Sequence, residues 1–299
     1  MSAITTRRDF IKQSIAGVGT IAAVPAWAES APSATDRVEL GKTGIKVSRI
    51  AMGTGFRGHR RSSAQTRQGL ESFKKLALHG YESGLNFFDM ADLYGSHTFV
   101  RHSLTGIPRE NLVYMSKIWF RSGDGFEATQ AAKPKVERFL QELNTDYLDI
   151  CLIHCLSSAN WPNELKELRD GMSELKEKGK VRAIGCSCHD FGALKVAAED
   201  PWVDVLLARI NPKALSMDVD KPEEVKDVAD VLKKARANGK VVLGMKIFGE
   251  GRLTDKADRG ESMKFSWGNQ LIDAMTIGFE KPEQITETIE HLTQVLRTL

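Results

Sequence analysis

The sequence predicts one α/β domain, a single (β/α)8 TIM barrel with an N-terminal β-hairpin in front of it. Eight apolar, strand-like runs alternate with eight helix-like segments from residue 49 to the C-terminus, and such alternation is typical of parallel β/α folds. The stretch is also close to the length of about 250 residues that this barrel usually has. A doubly wound open sheet is the alternative, but it usually has a glycine-rich first turn, and here only Gly53-Thr54-Gly55 follows the first strand.

Periodicity and end signals place the individual elements. The strand-like runs are 49–54, 85–90, 112–117, 147–154, 181–187, 203–210, 240–247 and 274–278. The helix-like segments are 66–83, 96–105, 126–143, 163–178, 191–199, 222–237, 262–270 and 282–297. Gly179 and Gly239 each follow a cationic last turn, which is where helices end. Pro282 marks a helix start, and two short alternating runs over 38–48 predict the hairpin.

The first 28 residues predict an export signal. Arg7 and Arg8 precede a glycine- and alanine-rich apolar run that ends in Ala26-Trp27-Ala28, a small-x-small cleavage pattern. This arrangement resembles a bacterial twin-arginine (Tat) signal peptide; an uncleaved anchor, a mitochondrial presequence and a chance basic N-terminus are the alternatives. Residues 29–36 then predict a polar tether, and 37–299 the barrel domain. A Tat substrate is exported folded, so we expect a periplasmic location and the Tat machinery as a partner.

Composition excludes one broad class of function. The chain has 299 residues with a formal net charge of +3, and 7% of the residues are aromatic. A nucleic-acid-binding protein usually has a strongly basic face, and single-stranded nucleic acid also needs an aromatic stacking platform. We therefore expect no nucleic-acid partner.

Polar residues follow three consecutive strands at their carboxyl ends. Asp89 and Tyr94 follow the run 85–90, Lys117 ends the next strand, and His154 ends the one after it. In a β/α barrel these ends meet at the catalytic face, so the four side chains can form one proton-transfer site. Each also has an ordinary structural explanation, such as a helix cap, a loop anchor, a solvated strand end or a core histidine.

The chain resembles the aldo-keto reductases from about residue 38 to the last helix. Their D-x-A-x-x-Y-G signature corresponds to Asp89-Met90-Ala91-Asp92-Leu93-Tyr94-Gly95, and Lys117 and His154 match the family's strand-end lysine and histidine. The resemblance implies hydride transfer from NAD(P)H to a carbonyl carbon, with Tyr94 as the proton donor. Lys117, held by Asp89, would stabilise the phenolate and lower the pKa of Tyr94, and His154 would orient the carbonyl oxygen.

The resemblance also implies a nucleotide site, which this sequence matches less well. Its candidate residues are Gly53, Thr54, Ser187, Cys188, Met245, Lys246, Ile277, Gly278, Gln284 and Glu287. Cys188 stands where the family has an asparagine that holds the nicotinamide carboxamide, and Met245 where it has a stacking aromatic residue. Gln284 stands where an arginine often clamps the 2′-phosphate. The family favours NADPH, and the last substitution leaves NADH as the alternative.

Four cysteines leave three interpretations open. Cys151, Cys155, Cys186 and Cys188 lie on two neighbouring predicted strands or at their ends. Buried free thiols, a disulfide and a metal site are all compatible with this pattern. The Cys-x3-Cys and Cys-x-Cys spacings are not the usual zinc spacings, so no metal ligand is assigned.

The function implied is an NAD(P)H-dependent oxidoreductase that reduces a small aldehyde or ketone. The alternative is a nucleotide-binding module with little turnover, which senses redox state or binds a partner on a reductase-like barrel. A nicotinamide nucleotide has no obvious means of regeneration outside the cytoplasm. Export therefore raises the further expectation of a redox partner that recycles the cofactor.

Overall fold

A computed structural model describes residues 31–123 and 125–299. The predicted signal peptide at 1–28 and the first two tether residues lie outside the described residues. The packed unit runs from Pro32 to Leu299. Among the residues described, no helix combines the length and the apolar character needed to cross a membrane.

Within residues 31–123 and 125–299, ten strands form two sheets. They are β1 Arg37–Glu39, β2 Lys46–Ser48, β3 Ile50–Gly53, β4 Phe87–Asp89, β5 Val113–Ile118, β6 Leu148–Leu156, β7 Val181–Cys188, β8 Val205–Arg209, β9 Val241–Met245 and β10 Ala274–Gly278. Strands β1 and β2 pair antiparallel, which confirms the predicted hairpin. Strands β3 to β10 form a closed parallel barrel in which β10 pairs with β3. The predicted TIM barrel is therefore confirmed, and the open sheet is wrong.

The interior of the barrel is filled with apolar side chains and closed at the bottom by the hairpin. Inward-facing residues such as Ala51, Phe87 and Leu152 form one buried cluster with Leu40 and Ile45 of the hairpin turn. A filled interior is what an eight-stranded barrel requires, because the strands leave room only for side chains. A site among the strand ends is therefore expected at the opposite end of the barrel, where the strands end.

Ten α-helices surround the barrel in the described part of the chain. They are α1 Ala64–Arg67, α2 Leu70–Glu82, α3 His97–Ser103, α4 Ala132–Leu143, α5 Trp161–Glu164, α6 Lys166–Glu177, α7 Phe191–Glu199, α8 Val225–Ala237, α9 Lys256–Gly268 and α10 Pro282–Leu296. Their buried faces pack on the outer side of the strands in a second apolar cluster.

The helix boundaries differ from the predicted ones where charge or glycine hides the periodicity. Helix α9 begins at Lys256 rather than at 262, because its first turns are mostly charged and lack an apolar repeat. The predicted helix 66–83 is divided at Gly69, whose φ of 85° lies in the left-handed region that glycine tolerates best. Helix α4 begins at Ala132 rather than at 126.

The described end of the predicted tether is packed on the barrel unit. Ala34 is fully buried, its N–H donates to Thr293 Oγ1 at 3.1 Å, and its carbonyl accepts from the N–H of Arg49. The packed unit thus starts a few residues before the predicted domain boundary at residue 37.

Candidate active site

A buried ion pair lies at the carboxyl ends of two neighbouring strands. Lys117 of β5 contacts Asp89 Oδ1 of β4 through its ammonium group and also donates to the carbonyl of Met90 at 2.9 Å. The second carboxylate oxygen of Asp89 accepts from Thr276 Oγ1 of β10 at 2.7 Å. Lys117 is 1% exposed and Asp89 is 5% exposed, so both charges are almost completely removed from water.

Tyr94 and His154 complete the predicted group of four. Tyr94 ends a short 3-10 turn, Asp92–Tyr94, that follows β4. Its hydroxyl lies 3.4 Å from Nε2 of His154, and the Lys117 ammonium lies 4.9 Å from the centre of its ring. The structure thus brings together the carboxylate, the ammonium, the phenol and the imidazole that the sequence placed at successive strand ends.

The electrostatics of Tyr94 differ from the prediction that Lys117 lowers its pKa. Burial raises the pKa of Tyr94 well above its ordinary value of 10.0, and the charges of Asp89, Cys155 and Glu250 add to this shift. The predicted lowering of this pKa is wrong for this structure, because burial of the phenol outweighs the effect of the nearby ammonium and the charge of Asp89 opposes it. Tyr94 is therefore a neutral phenol that holds its proton at neutral pH.

His154 is also neutral. Burial lowers the pKa of His154 well below its ordinary value of 6.5, and the nearby cation Lys117 and the side chains of His189 and Arg121 lower it further. Its Nδ1 is buried without a hydrogen-bond partner among the described residues. One ring nitrogen therefore contacts Tyr94 while the imidazole carries no charge.

Glycines hold the Tyr94 ring in place by allowing the backbone to approach it. A Cβ at Gly55 would lie 2.3 Å from the ring, and one at Gly58 would lie 2.6 Å from it. Gly95 follows with a φ of 63°, and a Cβ there would lie 2.0 Å from the carbonyl oxygen of Arg61. No side chain fits at these positions, so the loop after β3 and the turn after β4 clamp the phenol between them.

A charged network supports the same turn from outside the cavity. The buried carboxylate of Asp92 contacts Arg138 of α4 at 2.6 Å, and Arg138 contacts Glu142 at 2.8 Å. Glu142 in turn accepts from His97 Nδ1 at 2.7 Å, while Nε2 of that ring lies 2.8 Å from Ser116 Oγ on β5. The network connects the turn that carries Tyr94 to the strand that carries Lys117.

One cavity of about 470 Å³ contains the four residues and extends to helix α10. This volume falls in the range of about 300–1,000 Å³ that is usual for small-molecule sites. Eight of the ten predicted nucleotide-site residues line it: Gly53, Ser187, Met245, Lys246, Ile277, Gly278, Gln284 and Glu287. Arg57, Phe56, Arg259 and Phe279 also face it.

The other two predicted nucleotide-site residues do not line this cavity. Thr54 is fully buried; its hydroxyl lies 2.8 Å from the carbonyl of Asp89 and 2.7 Å from Ser96 Oγ. Cys188 is fully buried too, and its sulfur lies 3.9 Å from that of Cys186. Thr54 connects β3 to β4, and Cys188 packs in the outer core.

The two ends of the cavity suit the two ends of a nicotinamide dinucleotide. The four polar residues form one end, and the N-terminus of α10, a favourable place for phosphate, lies at the other. Gln284 caps this helix, since its Oε1 accepts from the N–H of Glu280 at 2.8 Å, and Glu287 pairs with Arg259 at 2.7 Å. A Cβ at Gly278 would lie 3.0 Å from Phe56, so the cavity wall between the two ends has no room for a larger residue there.

The sequence model of the Aldo/keto reductase family matches residues 49–298, which includes every barrel strand and all four polar residues. The chain belongs to the aldo/keto reductase family. Membership implies an NAD(P)H-dependent oxidoreductase.

Similar proteins agree with this assignment. An aldo-keto reductase of Mycobacterium avium is 25% identical over 231 residues, covering 74% of this chain and 76% of the relative. The NADH-specific methylglyoxal reductase of Escherichia coli is 26% identical over 199 residues, which cover 58% of each chain. The solved structure of an aldo/keto reductase from Klebsiella pneumoniae, in complex with NADP and acetate, is similar with a TM-score of 0.61 and 20% identity, covering 87% of this chain and 89% of that one.

The cysteines of this reductase are free thiols in the structure. Burial raises the pKa of Cys151 to about 12 and that of Cys155 to about 11, so both stay protonated. Within the described ranges, no group of three or more His, Cys, Asp or Glu side chains is arranged to hold a metal ion.

Sequence reasoning missed two polar residues of the reductase site. Thr276 binds Asp89 and also lines the cavity. It is the one polar residue in the apolar strand β10, which was an available signal. His189 lines the cavity as well and directly follows β7. His154 likewise ends the predicted strand-like run 147–154, so the position of His189 after a strand was an available signal. The glycine contacts around Tyr94 had no sequence signal, because they depend on the three-dimensional approach of two loops.

Gly55→Ala tests the clamp on Tyr94. The added methyl group would overlap the phenol ring, so we expect kcat/KM for carbonyl reduction to fall by roughly 100-fold, as misplacement of a reacting group by about 1 Å can cause. Steady-state kinetics on a series of aldehydes measures this change.

Gly80→Ala is the matched control for that variant. A Cβ at Gly80, in helix α2, has no neighbour nearer than 3.6 Å, so we expect normal kinetics. Equal activity of Gly55→Ala and the wild-type protein would contradict the clamp.

Proposed function

We propose that this protein reduces an aldehyde or ketone to an alcohol with Tyr94 as the proton donor. The observation that supports the proposal most directly is the Tyr94 hydroxyl at 3.4 Å from His154 Nε2, inside the cavity and beside the Lys117–Asp89 pair. A nicotinamide bound in this cavity would supply a hydride to the carbonyl carbon. The chain's own residues then have to orient the carbonyl and protonate its oxygen.

The proton moves from the Tyr94 hydroxyl to the oxygen of the forming alkoxide. Because burial raises the pKa of Tyr94, the phenol keeps its proton until the strongly basic alkoxide is formed. Neutral His154 can donate a hydrogen bond from Nε2 to the same oxygen and hold it near the phenol. The Lys117 ammonium, fixed by Asp89, then lies close enough to stabilise the phenolate that remains.

NADPH is the cofactor that we propose, with NADH as the alternative. The cations Arg57, Lys246 and Arg259 line the cavity, which supports binding of a phosphate-rich nucleotide. The carboxylates Glu280 and Glu287 line its α10 end as well, and they disfavour an additional 2′-phosphate. Similar proteins include examples with either nucleotide. The Klebsiella structure contains NADP, and the Escherichia coli relative is named NADH-specific.

The nucleotide-binding module with little turnover is the second candidate function. Cys188 and Met245 favour it, because they stand where the family has the asparagine that holds the carboxamide and the stacking aromatic residue. Tight nucleotide binding together with very slow reduction of every aldehyde tested would distinguish this function from that of an enzyme.

Export is a separate proposal that rests on residues 1–28. Arg7 and Arg8, the apolar run and Ala26-Trp27-Ala28 support a twin-arginine signal peptide, with the Tat machinery as a partner and the periplasm as the location. The folded cofactor complex would be exported intact, and a redox partner in the periplasm would recycle the nucleotide.

Tyr94→Phe tests the proton donor. The variant retains the ring and removes only the hydroxyl, so we expect kcat to fall by about 10²–10⁴-fold, the usual contribution of general acid catalysis. Steady-state kinetics gives kcat, and a nucleotide fluorescence titration shows that the cavity is still formed. The matched control is Tyr81→Phe, which removes a tyrosine hydroxyl in helix α2. Retention of most of the activity by Tyr94→Phe would contradict the proposal.

The pH dependence of reduction follows from the two shifted groups. A lowered pKa keeps His154 neutral on both sides of pH 6.5, and a raised pKa keeps the proton on Tyr94 above pH 10. We therefore expect kcat at saturating cofactor to show no inflection near pH 6.5 and no alkaline fall below about pH 10. A kcat profile with a midpoint near neutral pH would mean that one of these groups titrates in the working range.

Replacing Arg7 and Arg8 together by lysine tests the export proposal. The twin-arginine route reads the arginine pair, so we expect the double variant to accumulate in the cytoplasm while the wild-type protein reaches the periplasm. Cell fractionation and immunoblotting measure the distribution, with Lys12→Arg as a charge-conserving control. Accumulation of the double variant in the periplasm would exclude the twin-arginine route.

A further inference from the structure

Thr276 is a polar residue inside the barrel that the mechanism above does not use. It lies on β10 two residues after Ala274, which belongs to the apolar cluster of the barrel interior, and successive side chains of a strand alternate between its two faces. The Thr276 side chain therefore points inward, and it lines the same cavity as Asp89 and Tyr94. A hydroxyl group next to this apolar interior needs a hydrogen-bond partner.

The hydroxyl of Thr276 reaches a carboxylate two strands away. Strand β3 lies between β10 and β4 in the barrel, and Gly53 of β3 pairs with Asp89 of β4. A Cβ at Gly53 would lie 2.9 Å from Thr276 Oγ1 and 3.1 Å from the backbone carbonyl of Ile277, so a side chain there would crowd the contact. The bare backbone of Gly53 thus leaves the space in which Thr276 contacts Asp89 Oδ2 at 2.7 Å.

The two oxygens of Asp89 therefore have different partners. Oδ1 contacts the Lys117 ammonium, and Oδ2 contacts the Thr276 hydroxyl. Because an ionised carboxylate can only accept hydrogen bonds, the hydroxyl is the donor, and a hydrogen bond to a charged acceptor is stronger than one between neutral groups. The hydroxyl fixes the rotation of the carboxylate and keeps Oδ2 directed towards β10 rather than towards Lys117.

Closure of the barrel does not require this side-chain contact. Backbone pairing already joins β10 to β3 and β3 to β4. An apolar β-branched residue at position 276 would fill the same space without a hydroxyl. The effect of the hydroxyl on Asp89 therefore explains its presence better than strand pairing does.

From this geometry we propose that Thr276 is a positioning residue for carbonyl reduction, which acts on Lys117 through Asp89. The inference rests on the proposed function, in which Lys117 stabilises the phenolate that remains on Tyr94. With Oδ2 held by Thr276, Asp89 fixes the ammonium through one oxygen, and the positive end of the hydroxyl offsets part of the carboxylate charge. More of the field of the ammonium then reaches the phenolate as the proton leaves.

Thr276→Val tests the inference, because valine retains the branched shape of the side chain and removes the hydroxyl. We expect the single-turnover rate of cofactor oxidation by an aldehyde to fall about tenfold, the effect of losing one hydrogen bond. The solvent deuterium isotope effect on this rate is expected to increase, because proton transfer from Tyr94 becomes harder, while the nucleotide dissociation constant stays unchanged. Stopped-flow absorbance of the reduced nicotinamide measures the rate, and fluorescence titration measures the dissociation constant.

Three further variants complete the test. Thr276→Ser retains the hydroxyl and is expected to keep most of the wild-type rate and the wild-type isotope effect. Thr276→Ala leaves room for a water molecule beside Asp89 Oδ2, so it replaces the valine variant if that variant does not fold, and we expect a smaller loss in the same direction. Thr105→Val is the matched control, because it removes an exposed hydroxyl that is bound to the carbonyl of Arg101 outside the cavity.

Three results would overturn the inference. The first is a wild-type rate in the folded valine or alanine variant, and the second is an equal loss of rate in Thr276→Ser. The third is a slower rate with an unchanged solvent isotope effect, since Thr276 would then act on packing or, if nucleotide binding is also weaker, on the cofactor. The proposed function fails in a distinguishable way, because the wild-type protein would then bind nucleotide and oxidise it with no aldehyde.

Discussion

The buried Lys117–Asp89 ion pair is the interaction on which the rest of the site depends. Its two residues end adjacent strands, and the hydrogen bond from Thr276 joins them to the strand that closes the barrel. Leaving one charge of a buried pair without its partner typically costs about 3–5 kcal/mol, whereas an apolar replacement of both is often neutral. Stability alone therefore does not explain the pair, but placing an ammonium group beside the Tyr94 phenol does.

Burial is the main reason why Tyr94 is protonated, and the carboxylate of the same ion pair adds to it. An isolated ammonium 4.9 Å from the ring would favour the phenolate, but the adjacent Asp89 carboxylate cancels much of its field, and burial opposes any charge. The phenol therefore keeps its proton, and Lys117 matters most once that proton has left. In the reverse reaction the same phenol would have to act as the base in its phenolate form.

The barrel and the four polar residues could be predicted from sequence because both are local patterns. Strand–helix alternation identifies the fold, and a polar residue that ends an apolar strand identifies a position at the catalytic face. The pKa of Tyr94 was predicted with the wrong sign, because burial and the neutralising effect of Asp89 depend on packing. Thr54 was assigned to the nucleotide site, but its hydroxyl lies near the carbonyl of Asp89 on the neighbouring strand. The orientation of His189 depends on its contact with Arg209, twenty residues away in sequence, and no local pattern shows that contact.

The most direct test of the account follows hydrogen from the cofactor into the product. The protein would be incubated with an aldehyde and nicotinamide cofactor fully deuterated at C4 of the reduced ring, and the alcohol would be analysed by mass spectrometry. The account predicts one deuterium on the carbon that bore the reacting carbonyl, with the hydroxyl proton taken from Tyr94 and, ultimately, from solvent. An alcohol without deuterium, or no alcohol despite nucleotide binding, would contradict the assignment of this cavity as a reductase site.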